Sequence, residues 1–246
     1  MKKITSYLII LIMLPLLSCY QDDSTTRVIN PSGSQNQEQD IDQTQEFKIL
    51  SLGDSYTIGQ SVCDECRFPV QLRDSLTSNI PNSVFEVNVI AQTGWTTTNL
   101  KNNIPEETLT INHDLVTLLI GVNNQFQGRP FSLYETEFPE LVQTAITAAS
   151  GDKNNVIVIS IPDYAYTPFG QNFGNPENTS LEIDNYNNFA ENYCTLNAIT
   201  FLNITDITRE GLNNTDLVTT DNLHPSELAY SRFVERLLPI AIEKIE

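Results

Sequence analysis

A serine, a histidine and an aspartate in two short blocks, Gly53-Asp54-Ser55-Tyr56 and Asp221-Asn222-Leu223-His224-Pro225, have the residue types of a nucleophilic hydrolase. A serine hydroxyl attacks a carbonyl only when an imidazole takes its proton, and that imidazole needs a carboxylate to fix its tautomer and orientation. The chain has only two histidines. His113 precedes the apolar run Asp114 to Ile120, which puts it at the amino end of a buried strand. In an open parallel sheet, reactive groups gather outside the carboxyl ends of the strands, where Ser55 follows the run Phe47 to Leu52. His224 is therefore the base by elimination, and Asp221, three residues back, reaches its far ring nitrogen. The competing reading makes His224 a helix cap and Ser55 a turn residue.

Two further blocks follow apolar runs. Gln92-Thr93-Gly94-Trp95 ends the run Val89-Ile90-Ala91, and Gly121-Val122-Asn123-Asn124 follows Leu118-Leu119-Ile120. Acyl transfer passes through a tetrahedral oxyanion, and one fixed donor aimed at that charge is worth about 3–4 kcal/mol. Gly94 lets a backbone N–H approach a ligand, and Asn123 supplies neutral side-chain donors. Either block alone is equally well read as a turn glycine or a loop cap.

Strand-length apolar runs recur at Phe47 to Leu52, Phe85 to Ala91, Leu115 to Ile120, Val156 to Ile161 and Thr200 to Ile204. Amphipathic stretches at Pro69 to Ser78, Thr97 to Asn103, Leu133 to Ala149, Ile183 to Leu196 and Ser226 to Ile245 read as helices between and after them. The alternation predicts an α/β fold, a three-layer α/β/α sandwich of about five mostly parallel strands. Pro225 suits the first position of the last helix. His224 then falls at the N-cap, where the positive helix end favours the neutral ring.

Residues 1–18 place Lys2 and Lys3 before an apolar stretch from Tyr7 to Leu17, the pattern of a secretory leader too short to span a membrane comfortably. The end of this leader, Leu16-Leu17-Ser18-Cys19, resembles a bacterial lipoprotein signal, which implies lipidation of Cys19 after cleavage. An ordinary leader and an uncleaved anchor are the other readings. Residues 19–46 are polar, with Val28, Ile29 and Ile41 their only aliphatic residues, and read as a disordered acidic tether. Asp22 and Asp23 resemble a surface-export signal, although an acidic linker looks the same. The expected location is the bacterial cell envelope, facing the periplasm or the cell surface, with the lipid anchor as the only membrane contact.

Residues 47–246 suit one domain. A formal charge of -18, from 13 basic against 31 acidic residues, excludes nucleic acid and bare anionic lipid as natural partners. Outside the cytoplasm, Cys63 and Cys66 read as a local disulfide rather than a zinc half-site, and Cys194 as a buried free thiol.

Ser55, Gly94, Asn123 and Asp221 with His224 stand in the order of the four conserved blocks of the SGNH/GDSL hydrolase family, which the chain resembles from Phe47 onward. The resemblance implies a flavodoxin-like sandwich with Ser55 as nucleophile, His224 as general base then acid, and Asp221 as orienting carboxylate. It also implies an oxyanion hole from the N–H of Ser55, the N–H of Gly94 and the Asn123 side chain. Asn124 departs from the family's usual aspartate, which bears on local loop hydrogen bonding. The α/β-hydrolase elbow Gly-x-Ser-x-Gly is not met, because position 57 is Thr57.

The chemistry implied is ester hydrolysis through an acyl-enzyme, needing neither metal nor organic cofactor. The substrate is a small-molecule or glycan ester, with short acyl groups such as O-acetyl on carbohydrates favoured. The alternatives are a lysophospholipase- or thioesterase-type lipid ester hydrolase and a non-catalytic surface-binding lipoprotein on the same fold. Pocket walls are expected from 124–131 and from the aromatic loop of Tyr164, Tyr166 and Phe169, which stacks on a sugar, lines an acyl slot or packs on itself.

Overall fold

The computed structural model describes residues 44–246; the expected leader, Cys19 and most of the tether lie outside these residues. Five strands form one parallel sheet in the order β2-β1-β3-β4-β5. They are β1 (Gln45–Gly53), β2 (Ser83–Ala91), β3 (Leu115–Leu119), β4 (Val156–Ile159) and β5 (Thr200–Leu202). Nine α-helices among the described residues follow in chain order: α1 (Ser55–Ile58), α2 (Phe68–Asn79), α3 (Thr97–Asn103), α4 (Val122–Phe126), α5 (Phe131–Ala148), α6 (Pro168–Gln171), α7 (Pro176–Asn197), α8 (Thr205–Thr208) and α9 (Glu227–Ile245). Helices α2 and α9 pack together on one side of the sheet, and α3, α5 and α7 associate on the other. The result is the expected three-layer α/β/α sandwich.

The central strands are buried along their whole length, which explains why β3 (LVTLL) and β4 (VIVI) lack polar alternation. Leu50, Leu52, Leu118 and Leu119 fill the sheet, while Tyr134, Phe138 and Leu141 of α5 and Tyr230, Phe233 and Leu237 of α9 close its faces. Every connection between parallel strands crosses one face. The chain moves outward from β1 to β2 and then returns past β1 to β3. The carboxyl ends of β1 and β3 therefore flank the crevice where the winding direction reverses, the usual ligand site of such sheets.

Element ends differ from the sequence expectation for identifiable reasons. Gln45 and Glu46, read as the last tether residues, belong to β1 and pair with Ser83 and Val84 of the long neighbouring strand. Strand β4 stops at Ile159 rather than Ile161, because the N–H and C=O of Ile161 bond the Asn187 side chain (2.8 and 3.0 Å). Strand β5 stops at Leu202 rather than Ile204, whose N–H is taken by Ser160 Oγ (2.8 Å). Helix α7 starts at Pro176, well before Ile183, because the Asn175 side chain caps Asn178 N–H.

The start of α9 corrects a second expectation. Its N-cap is Ser226, whose hydroxyl accepts from Ala229 N–H (3.3 Å), so Pro225 and His224 lie outside the helix. Pro225 forms an isolated antiparallel bridge with Val218, and Thr219 N–H donates to His224 C=O (2.8 Å). A hydroxyl is the better cap, and the backbone before it is already engaged. His224 is thus held by a short hairpin-like loop, not by the helix terminus.

Gly121 starts the turn from β3 into α4 at φ +129°, and an added Cβ would lie 2.6 Å from Cε2 of Tyr134. Gly121→Ala is expected to lower stability by about 1–3 kcal/mol from overpacking alone, with backbone strain added. Urea denaturation checks this. A variant as stable as wild type would show that α4 is not held in this way.

Candidate active site

The turn after β1 has no room for a side chain at Gly53: a Cβ there would lie 2.1 Å from Thr57 Oγ1 and 2.5 Å from Leu119 C=O. This close approach brings the one-turn helix α1 against the end of β3. Asp54 caps α1 by accepting from Tyr56 N–H (3.0 Å), and Gly59, at φ +77°, ends it by donating to Ser55 C=O. Ser55 is therefore the first residue of a short, doubly capped helix at the sheet's carboxyl edge.

Asp221 and His224 meet as expected. Nδ1 of the imidazole lies 2.7 Å from Asp221 Oδ2, which also accepts from Ser61 Oγ (2.6 Å). The other oxygen, Oδ1, accepts from Thr219 Oγ1 (2.6 Å), Leu223 N–H (2.8 Å) and His224 N–H (2.9 Å). Partial burial alone would raise this carboxyl. The bonds from Ser61, Thr219 and His224 outweigh it and hold Asp221 well below the usual carboxylate range. With Nδ1 facing a carboxylate, Nε2 is the ring nitrogen left for the substrate side. The Tyr56 ring packs on His224 at 5.2 Å between centroids.

Five residues singled out in the sequence line one cavity of about 190 Å³: Ser55, Gly94, Asn123, Tyr164 and His224. Ser55 and His224 share it without a direct side-chain hydrogen bond, a looseness common before substrate tightens such pairs. Gly94 adopts φ +83°, and Gln127 Nε2 fixes its carbonyl at 2.9 Å. The buried Asn123 Nδ2 has no partner among the described residues. It lies near enough to Asp54 to favour the ionised carboxyl, yet outside hydrogen-bond geometry with it. Asn124 is buried next door. Its Oδ1 accepts from Thr97 N–H (2.9 Å) and its Nδ2 donates to Thr97 Oγ1 (2.7 Å), so an amide performs the local bonding expected at this position.

Tyr164 lines the cavity and donates to Gln125 Oε1 (2.9 Å). Phe169 reaches it only through Phe126, at 6.2 Å between ring centroids. Tyr166 does not reach it: the ring lies beneath Arg209 and lines a separate depression. Asp163 explains the divergence, because it caps this tight turn through Ala165 N–H (3.0 Å) and pairs with Arg209 Nε (2.9 Å), sending alternate rings to different sides.

Cys63 and Cys66 form a disulfide, and Cys194 is free and buried, its thiol pushed up to about 12 by desolvation. His113 is buried at the amino end of β3 with Nδ1 3.1 Å from Ala148 C=O. Among the described residues no group of three or more His, Cys, Asp or Glu side chains is placed to hold a metal ion, and no helix is long and apolar enough to cross a membrane. Two residues of the site carried no usable sequence signal, and a third carried it only through its segment. Ser61 and Thr219 are isolated hydroxyls in polar loops, and Phe126 sits in the anticipated wall segment but on a helix turn of its own.

Residues 51–232 match the GDSL-like lipase/acylhydrolase family. The chain belongs to this family. Membership makes it an ester hydrolase. Comparison with curated proteins gave no match. Among solved structures, TesA superposes with a TM-score of 0.63 at 14% identity, covering 80% of this chain and 99% of its own. A family 3 carbohydrate esterase from Clostridium thermocellum gives 0.61 at 20% identity, covering 82% and 98%. An acetyl xylan esterase from Geobacillus stearothermophilus gives 0.58 at 16%, covering 82% and 97%. At such identities these likenesses establish the shared fold.

Two outcomes test this GDSL site. A hydrogen bond to a charged group is worth about 1.5–3 kcal/mol, so Ser61→Ala is expected to lower kcat/KM roughly 10- to 100-fold while the thermal midpoint barely moves. Equal activity would show that Asp221 does not need Ser61. Burial pushes the Asp54 carboxyl from 3.8 up to about 7, against the lowering effect of Tyr56 N–H, the Asn123 amide and its own N–H. Such a group binds more protons folded than unfolded, so its contribution to stability declines as pH rises from 3.8 to about 7. Over that window, the unfolding free energy of Asp54→Asn is expected to gain on wild type by up to about 1.4 kcal/mol per pH unit. Parallel urea-denaturation curves would refute it.

Proposed function

We propose that this GDSL enzyme is a serine esterase that removes short acyl groups, O-acetyl groups on carbohydrates foremost, through an acyl-enzyme. One observation carries the reading: Ser55, Gly94, Asn123 and His224 line one cavity, with Asp221 fixed behind the imidazole. In the first step His224 Nε2 takes the Ser55 proton as Oγ attacks the ester carbonyl. The N–H groups of Ser55 and Gly94 and the Asn123 amide receive the oxyanion. Asn123 Nδ2 supports that role, being a buried donor that makes no hydrogen bond of acceptable geometry among the described residues. The imidazolium then protonates the leaving alkoxide, the carbonyl–alkoxy bond breaks, and an alcohol departs. Water enters, gives a proton to His224 and attacks the acyl carbon. Collapse of the second tetrahedral intermediate releases the acid and returns the proton to Ser55.

The cavity supports short acyl groups, since about 190 Å³ is below the roughly 300–1,000 Å³ of sites that enclose drug-sized ligands. Two of the structures sharing the fold act on acetylated or other carbohydrate esters by their titles. The leader-like residues 1–18 and Cys19 support lipid anchoring in a bacterial envelope, where glycan esters are accessible.

Ser55→Ala is expected to abolish labelling by a fluorophosphonate and to lower kcat on p-nitrophenyl acetate by at least about a thousandfold. Asn123→Ala should lower it by roughly 10²–10³. Across p-nitrophenyl esters, rates should fall steeply from butyrate to palmitate. Persistent labelling of Ser55→Ala, or preference for palmitate, overturns the nucleophile or the short-acyl assignment respectively.

A further inference from the structure

Beyond the cavity mouth, three phenylalanines from two segments build a continuous aromatic ledge. Phe126 stacks on Phe173 at 4.9 Å and 25°, Phe173 stacks on Phe169 at 5.3 Å and 17°, and Phe126 meets Tyr164 edge-on at 5.7 Å. Phe126 and Phe173 are 39% and 42% exposed. Stacked aromatic rings left open to water beside a reactive cavity are a surface on which a substrate can rest. Phe126 also lines the Ser55 cavity, so the ledge continues directly from the reacting centre.

The surroundings of the ledge are polar. Gln125, next to Phe126, donates to the exposed Glu182 carboxylate (2.7 Å), and Asn178 donates to the other oxygen of Glu182 (2.8 Å). On the far side, α6 carries Phe169 at the ledge and Gln171 into a second depression of about 360 Å³, lined also by Tyr166, Glu177 and Ser180. The succession from the cavity is therefore an open aromatic face with amides and carboxylates beside it, then a wider hollow of mixed lining, where Ala165, Pro176 and Leu181 stand beside Gln171, Glu177 and Ser180, with one more exposed ring.

We infer that the ledge and hollow form a carbohydrate subsite for the alcohol part of the ester: the acylated sugar ring stacks on Phe126 and Phe173, and a neighbouring sugar of an oligosaccharide occupies the hollow at Tyr166. The inference rests on the esterase reading and names its substrate class. A pyranose has one face of polarised C–H bonds that suits the negative face of an aromatic ring, and a periphery of hydroxyls that suits amides and carboxylates. A fatty acyl chain calls for an enclosed apolar tunnel rather than an open shelf with a polar border. A formal charge of -18 opposes docking on an anionic lipid surface.

The deciding experiment compares kcat/KM for an acetylated xylotetraose, ethyl acetate and ethyl octanoate in wild type, Phe173→Ala, Phe173→Trp and Tyr166→Ala. Phe173→Ala is expected to lower the ratio of tetrasaccharide to ethyl acetate at least fivefold, mainly through KM. Phe173→Trp should restore the ratio, and Tyr166→Ala should lower it for the tetrasaccharide but not for an acetylated monosaccharide. A smaller fall, or a loss specific to ethyl octanoate, overturns the carbohydrate subsite and leaves the esterase standing. Calorimetric binding of the same tetrasaccharide to Ser55→Ala, with and without Phe173→Ala, separates the two claims. If wild type hydrolyses no ester, the function fails while this binding difference still decides the ledge.

Discussion

The carboxylate of Asp221 accepts five hydrogen bonds, and the rest of the site is arranged around it. Three come from its own loop backbone and ring partner, one from Thr219, and one from Ser61 in a loop 160 residues earlier in the chain. A half-buried negative charge is tolerable only when its lone pairs are filled in this way. The filling fixes where the imidazole points, because the bond to Nδ1 is the only one that involves the ring. The arrangement draws on strained backbone: Ser61 and Asn222 sit at φ +68° and +65°. Asparagine tolerates that region, but a serine there costs on the order of 1–3 kcal/mol, comparable to what a charged hydrogen bond returns.

A second set of constraints involves buried polar atoms without partners. Buried Asp54 Oδ2, Thr57 Oγ1, Asn123 Nδ2 and Tyr230 OH have no hydrogen-bond partner in the described structure. Unsatisfied buried polar atoms are rare in proteins and concentrate where chemistry needs them. Next to Asn123, by contrast, both side-chain atoms of Asn124 are bonded to Thr97, and Thr97 Oγ1 donates in turn to the buried Glu137 at 2.6 Å. The satisfied layer holds α4 still so that the unsatisfied amide next to it is presented in one place.

Much of this was legible in the sequence because it depends on local rules. Continuous apolar runs marked β3 and β4, and the two histidines resolved themselves by their position relative to a strand. The amphipathic stretch Thr97–Asn103 is a helix at the bounds read from it, and in the structure Thr96 and Asn99 cap it reciprocally. What escaped was set by tertiary contact. Nothing near Ser61 in sequence announces a partner at Asp221. The ends of β4 and β5 are decided by side chains on α7 and across the sheet, and Pro225 was misplaced because a distant bridge to Val218 holds it outside the helix. Tyr166 diverged from Tyr164 because an ion pair between buried Asp163 and half-buried Arg209 holds the turn between them. Periodicity reports which face is buried, not which remote group will claim a hydrogen bond.

The proposed nucleophile follows the first strand, while the imidazole and its carboxylate come just before the final helix, and α9 must dock on α2 before the halves meet. During synthesis, a nascent chain that has not yet reached His224 has the serine without anything to ionise it. Such a chain stays chemically silent however much of the sheet has formed. Pairing of the serine with its imidazole therefore waits on the last segment to be made, so a complete site reports a complete fold.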